Sequence, residues 1–490
     1  MNSKRYRPTT THEAPDLISR GGMRVPAYED FINNKHFRQP ESGFTYKCPD
    51  DSPLRDYQRA SVEWALARGK AAIFKDTGLG KTLDELEFGR AVVEHTQGPV
   101  LHLAPLAVGH QINREAAQFG YQTKIIRSMA DVEKCICITN YENLHNVDFG
   151  LFSGIVLDES SIMKGIQGKI RRQLTEGASV IPYRLSATAT PAPNDFMELG
   201  TQAEFLGIMT QVEMLATFFI HDGGDTAKWR LKGHGKQKFF EWLATWSIIM
   251  RDPSDYGFAA LPELPRLDIQ QVEIETEATD ALFPTVAQSL TERLQARRET
   301  LQARCEKAAE IVNRLEGPVL VWCGLNDEGD LLEKLIPDAV QVSGADKDDD
   351  KADRMLGFST GKHRVLITKP KLAGFGMNWQ HCNQMVFVGL SDSFEQYYQA
   401  IRRCWRQGQK RDVTAWVITA DTEGAVVENI RRKQIQADTM MEEMAKIAAS
   451  FFQGFDRARN ELRAYTPQIV APRPSFIQVK HASEGLRTGT

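Results

Sequence analysis

Eight consecutive residues, Lys75-Asp76-Thr77-Gly78-Leu79-Gly80-Lys81-Thr82, follow a short apolar run at 71–74 and open a helical pattern at 82–94. These residue types suit the gripping of phosphate. Gly78 and Gly80 let the backbone turn tightly, so that several N–H groups converge on one anion. The helix start adds positive partial charge there. Lys81 brings a full charge to β- and γ-phosphates, and Thr82 a hydroxyl for magnesium. The complete phosphate-loop pattern has glycine where this chain has Lys75.

A second constellation is Ile155-Val156-Leu157-Asp158-Glu159-Ser160-Ser161. An apolar strand ending in two carboxylates places them at the C-terminal edge of a sheet, where ligands of open α/β sheets sit. Asp158 is expected to hold magnesium through water, and Glu159 to orient or deprotonate an attacking water. Alone, the pair reads equally well as an acidic helix cap; its place downstream of a phosphate loop gives it weight. The third is Gln399-Ala400-Ile401-Arg402-Arg403-Cys404-Trp405-Arg406-Gln407-Gly408-Gln409. Arg403 and Arg406, three apart, share one helix face. They suit stabilisation of charge on a transferring phosphoryl group when two lobes close. Standing alone, the segment would read as a solvated basic surface.

The elements that must position these groups follow from length and pattern. The 490 residues allow two or three cores, and 42% apolar with 25% charged residues is ordinary for a globular chain. Apolar runs at 71–74, 100–104, 135–139, 155–157 and 183–186 alternate with helical patterns, which predicts parallel βαβ units. A second set resumes at 319–323, 339–343, 365–368, 385–390 and 414–419. The expected plan is an N-terminal extension (1–50), a first α/β lobe (51–205), a helical insert and linker (206–316), a second α/β lobe (317–435) and a C-terminal helix with a basic tail (436–490). Leu290, Leu294, Leu301, Cys305, Ala308, Val312 and Leu315 predict one helix stripe before Gly317. Seven scattered cysteines lack metal-ligand spacing and read as small buried hydrophobes. No apolar run approaches the roughly 20 residues that cross a bilayer, and the N-terminus has no secretory pattern. The expectation is a cytoplasmic protein without membrane attachment. A net charge of −4 gives no global field for nucleic acid, so any such partner must meet local basic surface.

In order, these segments resemble superfamily 2 helicases, and within them the Swi/Snf-like ATPases. Leu54-Arg55-Asp56-Tyr57-Gln58, with Trp64, resembles that family's adenine-recognition segment, which implies base reading by Gln58 with Arg55 beside it. The 75–82 segment resembles its first motif, which in that group also lacks the leading glycine; Thr77, Gly78, Leu79, Gly80, Lys81 and Thr82 would then hold ATP. Ala104–Val108 with Glu115, and Ile138–Glu142, resemble motifs that face the nucleic-acid backbone. Ser186–Asn194 is similar to the motif that couples hydrolysis to lobe movement. Residues 319–323 resemble motif IV. Ala373–Asn378 resembles motif V, which implies nucleotide contacts from Gly376 and Asn378. The 399–409 segment resembles the last motif. The resemblance implies two RecA-like parallel-sheet lobes, ATP and magnesium (through Thr82 and Asp158), catalysis by Lys81, Asp158, Glu159, Arg403 and Arg406, and a duplex DNA partner. Ser160-Ser161 stands where the family has Ala-His, Arg402 where it usually has Asp, and Gln407 where it has an apolar residue. The short insert implies a compact bacterial or bacteriophage type, working in a bacterial or phage-infected cell.

Lesser candidates remain. Lys228, Arg230, Lys232, Lys236 and Lys238 are reasonable phosphate contacts, whereas Phe239, Trp242 and Trp246, at helical spacing, read as core. The acidic run 346–353 reads as a helix start rather than a calcium loop. The insert or tail is a candidate surface for a protein partner. The functional expectation is an ATP-driven duplex DNA translocase. Its alternatives are a strand-separating DNA or RNA helicase and a nucleotide-gated subunit of a defence or restriction complex.

Overall fold

A computed structural model describes residues 42–164, 168–221, 229–274, 298–373, 377–391, 393–420 and 424–464. The expectations for most of the N-terminal extension, Lys228, Leu290, Leu294, Gly376 and the tail beyond 464 fall outside these residues. The first set of apolar runs forms β1 (Lys70–Lys75), β2 (Val100–Ala104), β3 (Thr123–Ile125), β4 (Ile136–Asn140), β5 (Gly154–Leu157) and β6 (Tyr183–Thr188). β2 and β5 are buried along their whole length, as parallel strands with both faces covered must be.

The stretch 206–316, read as a helical insert, also supplies strands. β7 (Phe219–His221) and β8 (Trp229–Leu231) form an antiparallel hairpin. β9 (Ser247–Met250) joins the open edge of β1, pairing Ala72 with Ser247. The lobe 1 sheet therefore runs β3-β4-β2-β5-β6-β1-β9, all parallel. β10 (Leu267–Ile274) carries polar residues on much of its length, as an edge strand does, and belongs to the other sheet.

That second sheet adds β11 (Val319–Trp322), β12 (Ala339–Gln341), β13 (Val365–Thr368), β14 (Gln384–Val388) and β15 (Val413–Ala420), in the parallel order β10-β15-β14-β11-β13-β12. Its alternating side chains split between two cores. Leu320, Trp322, Met385 and Phe387 enter one, and Val319, Val321, Val386 and Val388 the other. The chain thus has the expected two-lobed α/β architecture with parallel sheets.

One helix, Gly424–Ala464, runs on from lobe 2 and packs against lobe 1 at the helix Lys236–Ala244, β9 and the turn Pro253–Tyr256. Val426 and Ile430 sit in a lobe 2 core and Ala449 in the lobe 1 core. The boundary expected at 435 falls inside this continuous helix. All seven cysteines are buried and free. No helix among the described residues is long and apolar enough to cross a membrane.

Candidate nucleotide site between the lobes

The loop between β1 and the helix Lys81–Thr96 takes positive φ at Gly78 (90°) and Gly80 (71°). A Cβ would lie 3.1 Å from Gln407 Cγ at the first and 2.7 Å from Gln58 Nε2 at the second, so both positions need glycine. Lys75 does not. It is the last residue of β1, and its buried Nζ lies 2.7 Å from Asp84 Oδ2, 5.0 Å from the Tyr57 ring centre. The missing leading glycine is replaced by an internal ion pair beneath the loop. Tyr57 also donates to Leu79 O at 3.2 Å. Gln58 is buried; its Nε2 donates to Gly80 O at 3.0 Å and its Oε1 accepts from Arg55 N at 3.0 Å. Arg55 itself is exposed, and Thr82 lies half-buried in the first helical turn.

Lys81 Nζ donates to Lys75 O at 3.0 Å. Burial holds its ammonium below the usual range, against the pull of Glu159, Asp76, Asp158 and Glu85. Asp158 follows β5, its N–H bonded to Leu103 O at 2.9 Å and its carbonyl accepting from the Tyr141 hydroxyl at 2.8 Å. Glu159 has φ 52°, a left-handed conformation that costs a non-glycine residue about 1–3 kcal/mol. It aims the carboxylate at the cleft, where Oε1 accepts from Thr188 Oγ1 at 3.2 Å and from Gln399 Nε2 of lobe 2.

Burial, with the charges of Glu85 and Glu159, pushes Asp158 well above the carboxylate range. Burial likewise raises Glu85 strongly and depresses His102 to about 4; the two lie 3.0 Å apart, and sequence reading did not find them. Glu85 Oε1 has no hydrogen-bond partner. Asp158 and Glu159 carry the carboxylate oxygens of this cleft, and oxygen donors of this kind suit magnesium.

Lobe 2 brings the helix Phe394–Ile401 and the arginine segment after it. Arg403 is buried within its own lobe, donating to Gln399 O (2.9 Å), Gln399 Oε1 (3.0 Å) and Met377 O (3.1 Å), and burial lowers it to about 10. It therefore meets Glu159 through Gln399. Arg406 donates weakly to Met377 O at 3.4 Å, and Glu115 of lobe 1 faces it as a countercharge. Asn378 is exposed and accepts from Gln380 N at 3.4 Å. Among the three arginines, Arg402 is the one that hydrogen-bonds the phosphate loop: it donates to Thr77 Oγ1, to Thr77 O at 2.8 Å and to Asp76 Oδ2 at 3.2 Å. Its signal was present in the sequence: the aromatic residues Tyr398 and Trp405 lie four before and three after it.

Ser160 and Ser161 are buried, and Ser160 O accepts from Gln202 Nε2 at 2.9 Å. The contact to lobe 2 runs through Glu159 instead, and through Thr190 Oγ1, which donates to Glu395 Oε1 at 3.2 Å. Among the insert cations, Lys232 caps carbonyls of Ala216 (3.2 Å) and Thr217 (2.8 Å), Lys236 pairs with Glu443 (2.7 Å) and Lys238 with Glu241 (2.8 Å). Phe239, Trp242 and Trp246 are core. Asp346 accepts from Ser343 N at 2.7 Å ahead of the helix Asp348–Ser359.

Residues 304–408 match the helicase conserved C-terminal domain. Over these residues lobe 2 is similar to helicase C-terminal domains. The arginine segment and the Gln399 that meets Glu159 both lie within it. Among solved structures, the chain is similar to the Sulfolobus solfataricus SWI2/SNF2 ATPase core in complex with dsDNA, at 17% identity, covering 82% of this chain and 98% of that one with a TM-score of 0.38. No curated protein matches.

Proposed function

We propose that this chain is a nucleic-acid-dependent ATPase of the Swi/Snf-like kind, a compact motor of bacterial or bacteriophage origin that translocates along duplex DNA. The observation that carries the reading is that Glu159 is held from both lobes at once, by Thr188 and by Gln399. A water-orienting carboxylate fixed this way is aligned only when the lobes close. The loop N–H groups and Lys81 hold the triphosphate, and Arg55 and Gln58 lie on its adenine side. Glu159 orients the attacking water and takes its proton. Arg403 and Arg406 stabilise charge on the transferring phosphoryl group. Magnesium, held by Thr82 and Asp158, would neutralise phosphate charge. Closing and opening then step two backbone-gripping surfaces along a strand.

The test is ATP hydrolysis by the purified chain, alone and with duplex DNA, single-stranded DNA or RNA, beside Lys81→Ala and Arg406→Ala. Stimulation by duplex, lost in both variants, is the expected result. Stimulation mainly by a single strand would replace the reading with a strand-separating helicase. No hydrolysis with any nucleic acid would replace it with a nucleotide-gated partner subunit.

A further inference from the structure

Arg402 does something the arginine pair does not. Arg402 is 5% exposed, and its guanidinium lies 5.8 Å from the Tyr398 ring centre and 5.0 Å from that of Trp405. Held by these two rings, its planar fork is presented to lobe 1 with little freedom left to lose. It donates to both the side chain and the carbonyl of Thr77 and to Asp76 Oδ2. Tyr398 adds a hydrogen bond of 2.6 Å from its hydroxyl to Asp76 Oδ1. Asp76 Oδ1 also accepts from Thr77 N at 2.6 Å, so the carboxylate that lobe 2 grips is the one that shapes the leading arm of the phosphate loop. Lobe closure and loop shape are therefore one event at this point.

We infer that Arg402 is a positioning residue: with Tyr398, it latches the leading arm of the phosphate loop to lobe 2 in the closed arrangement. The inference rests on the ATPase reading for its catalytic consequence, but the latch itself requires no nucleotide. Because the loop backbone and Lys81 hold the triphosphate from lobe 1, loss of Arg402 should reduce the closed population more than it weakens binding.

The experiment uses the full chain and two readouts. In duplex-stimulated hydrolysis, Arg402→Ala is expected to lower kcat about tenfold while KM for ATP stays within about threefold, the loss of a charge-assisted hydrogen-bond set. Arg402→Lys, which keeps the charge and loses the fork, should recover part of that. Asp76→Asn combined with Arg402→Ala should be no slower than the worse single variant, because both remove the same contact. Nucleotide-free interlobe energy transfer is the second readout, with dyes on Glu94→Cys and Lys362→Cys; both sites are exposed, and the native cysteines are buried. Arg402→Ala should lower the transfer. An unchanged kcat, a rise in KM alone, losses that multiply, or unchanged transfer would each overturn the latch. A wild-type chain that hydrolyses no ATP, yet loses transfer on Arg402→Ala, would overturn the ATPase reading and leave the latch standing.

Discussion

Glu159 is a strained residue whose strain has a use: the left-handed backbone turns its carboxylate toward the cleft, and Thr188 and Gln399 hold it there. Gln399→Ala should therefore lower nucleic-acid-stimulated turnover by about tenfold, with little change in binding of a non-hydrolysable ATP analogue. Equal loss of binding and turnover would place Gln399 on the nucleotide instead. The buried Glu85 and His102 make a neutral pair, since burial raises one and lowers the other to about 4. The two contribute to pH dependence with opposite signs: the raised Glu85 gives stability that is lost as pH rises, and His102 the reverse. The folded value of His102 lies below the ordinary 6.5, so at this residue the native state binds fewer protons than the unfolded chain between these values. This contribution is present above about 6.5 and is lost as pH falls toward 4. Thermal midpoints measured across that window should fall less steeply in His102→Gln than in wild type.

At the scale of elements, the helix Leu301–Arg314 is tied to the helix Asn326–Leu335 by a fully buried pair, Arg304 and Glu328, at 2.8 Å. Glu328 also accepts from Gly324 N (2.7 Å) and Leu325 N (2.9 Å), and Arg304 donates to Val388 O (2.8 Å). Removing one partner leaves a buried charge alone, so Glu328→Ala should destabilise lobe 2 by about 3–5 kcal/mol, read as a shifted urea midpoint. The helix Gly424–Ala464 belongs to both lobes, with Ile430 in one core and Ala449 in the other. Ending the chain at 423 would uncover the lobe 1 surfaces on the helix Lys236–Ala244, β9 and the turn Pro253–Tyr256 that this helix covers. Lobe 1 should then lose thermal stability and become a faster target for protease. An unchanged cleavage pattern would show that lobe 1 stands without the strap.

For the whole molecule, the net charge of −4 means that the nucleic acid of the proposed function must be met by local cations. Stimulation of hydrolysis by duplex DNA should therefore fall linearly on logarithmic axes as salt rises, with little dependence on sequence. A salt-insensitive response would point to contacts other than phosphate. Several insert lysines expected at such contacts are committed to protein carboxylates and carbonyls, as Lys232, Lys236 and Lys238 are. What the sequence determined by itself was local and periodic. Glycines at 78 and 80 announced a loop with positive φ, and short apolar runs between helical patterns announced parallel sheets, because φ and burial are set within a few residues. The tertiary structure alone decided which strand closes which edge, as β9 and β10 do, since an edge is defined by a partner distant in the chain. It also decided which of three neighbouring arginines meets the phosphate loop. The sequence reads Arg403 and Arg406 as one helix face, but the helix ends at Ile401 and the arginines follow in turns, so only the packing of lobe 2 against lobe 1 turns Arg402 onto Asp76 and leaves Arg403 inside.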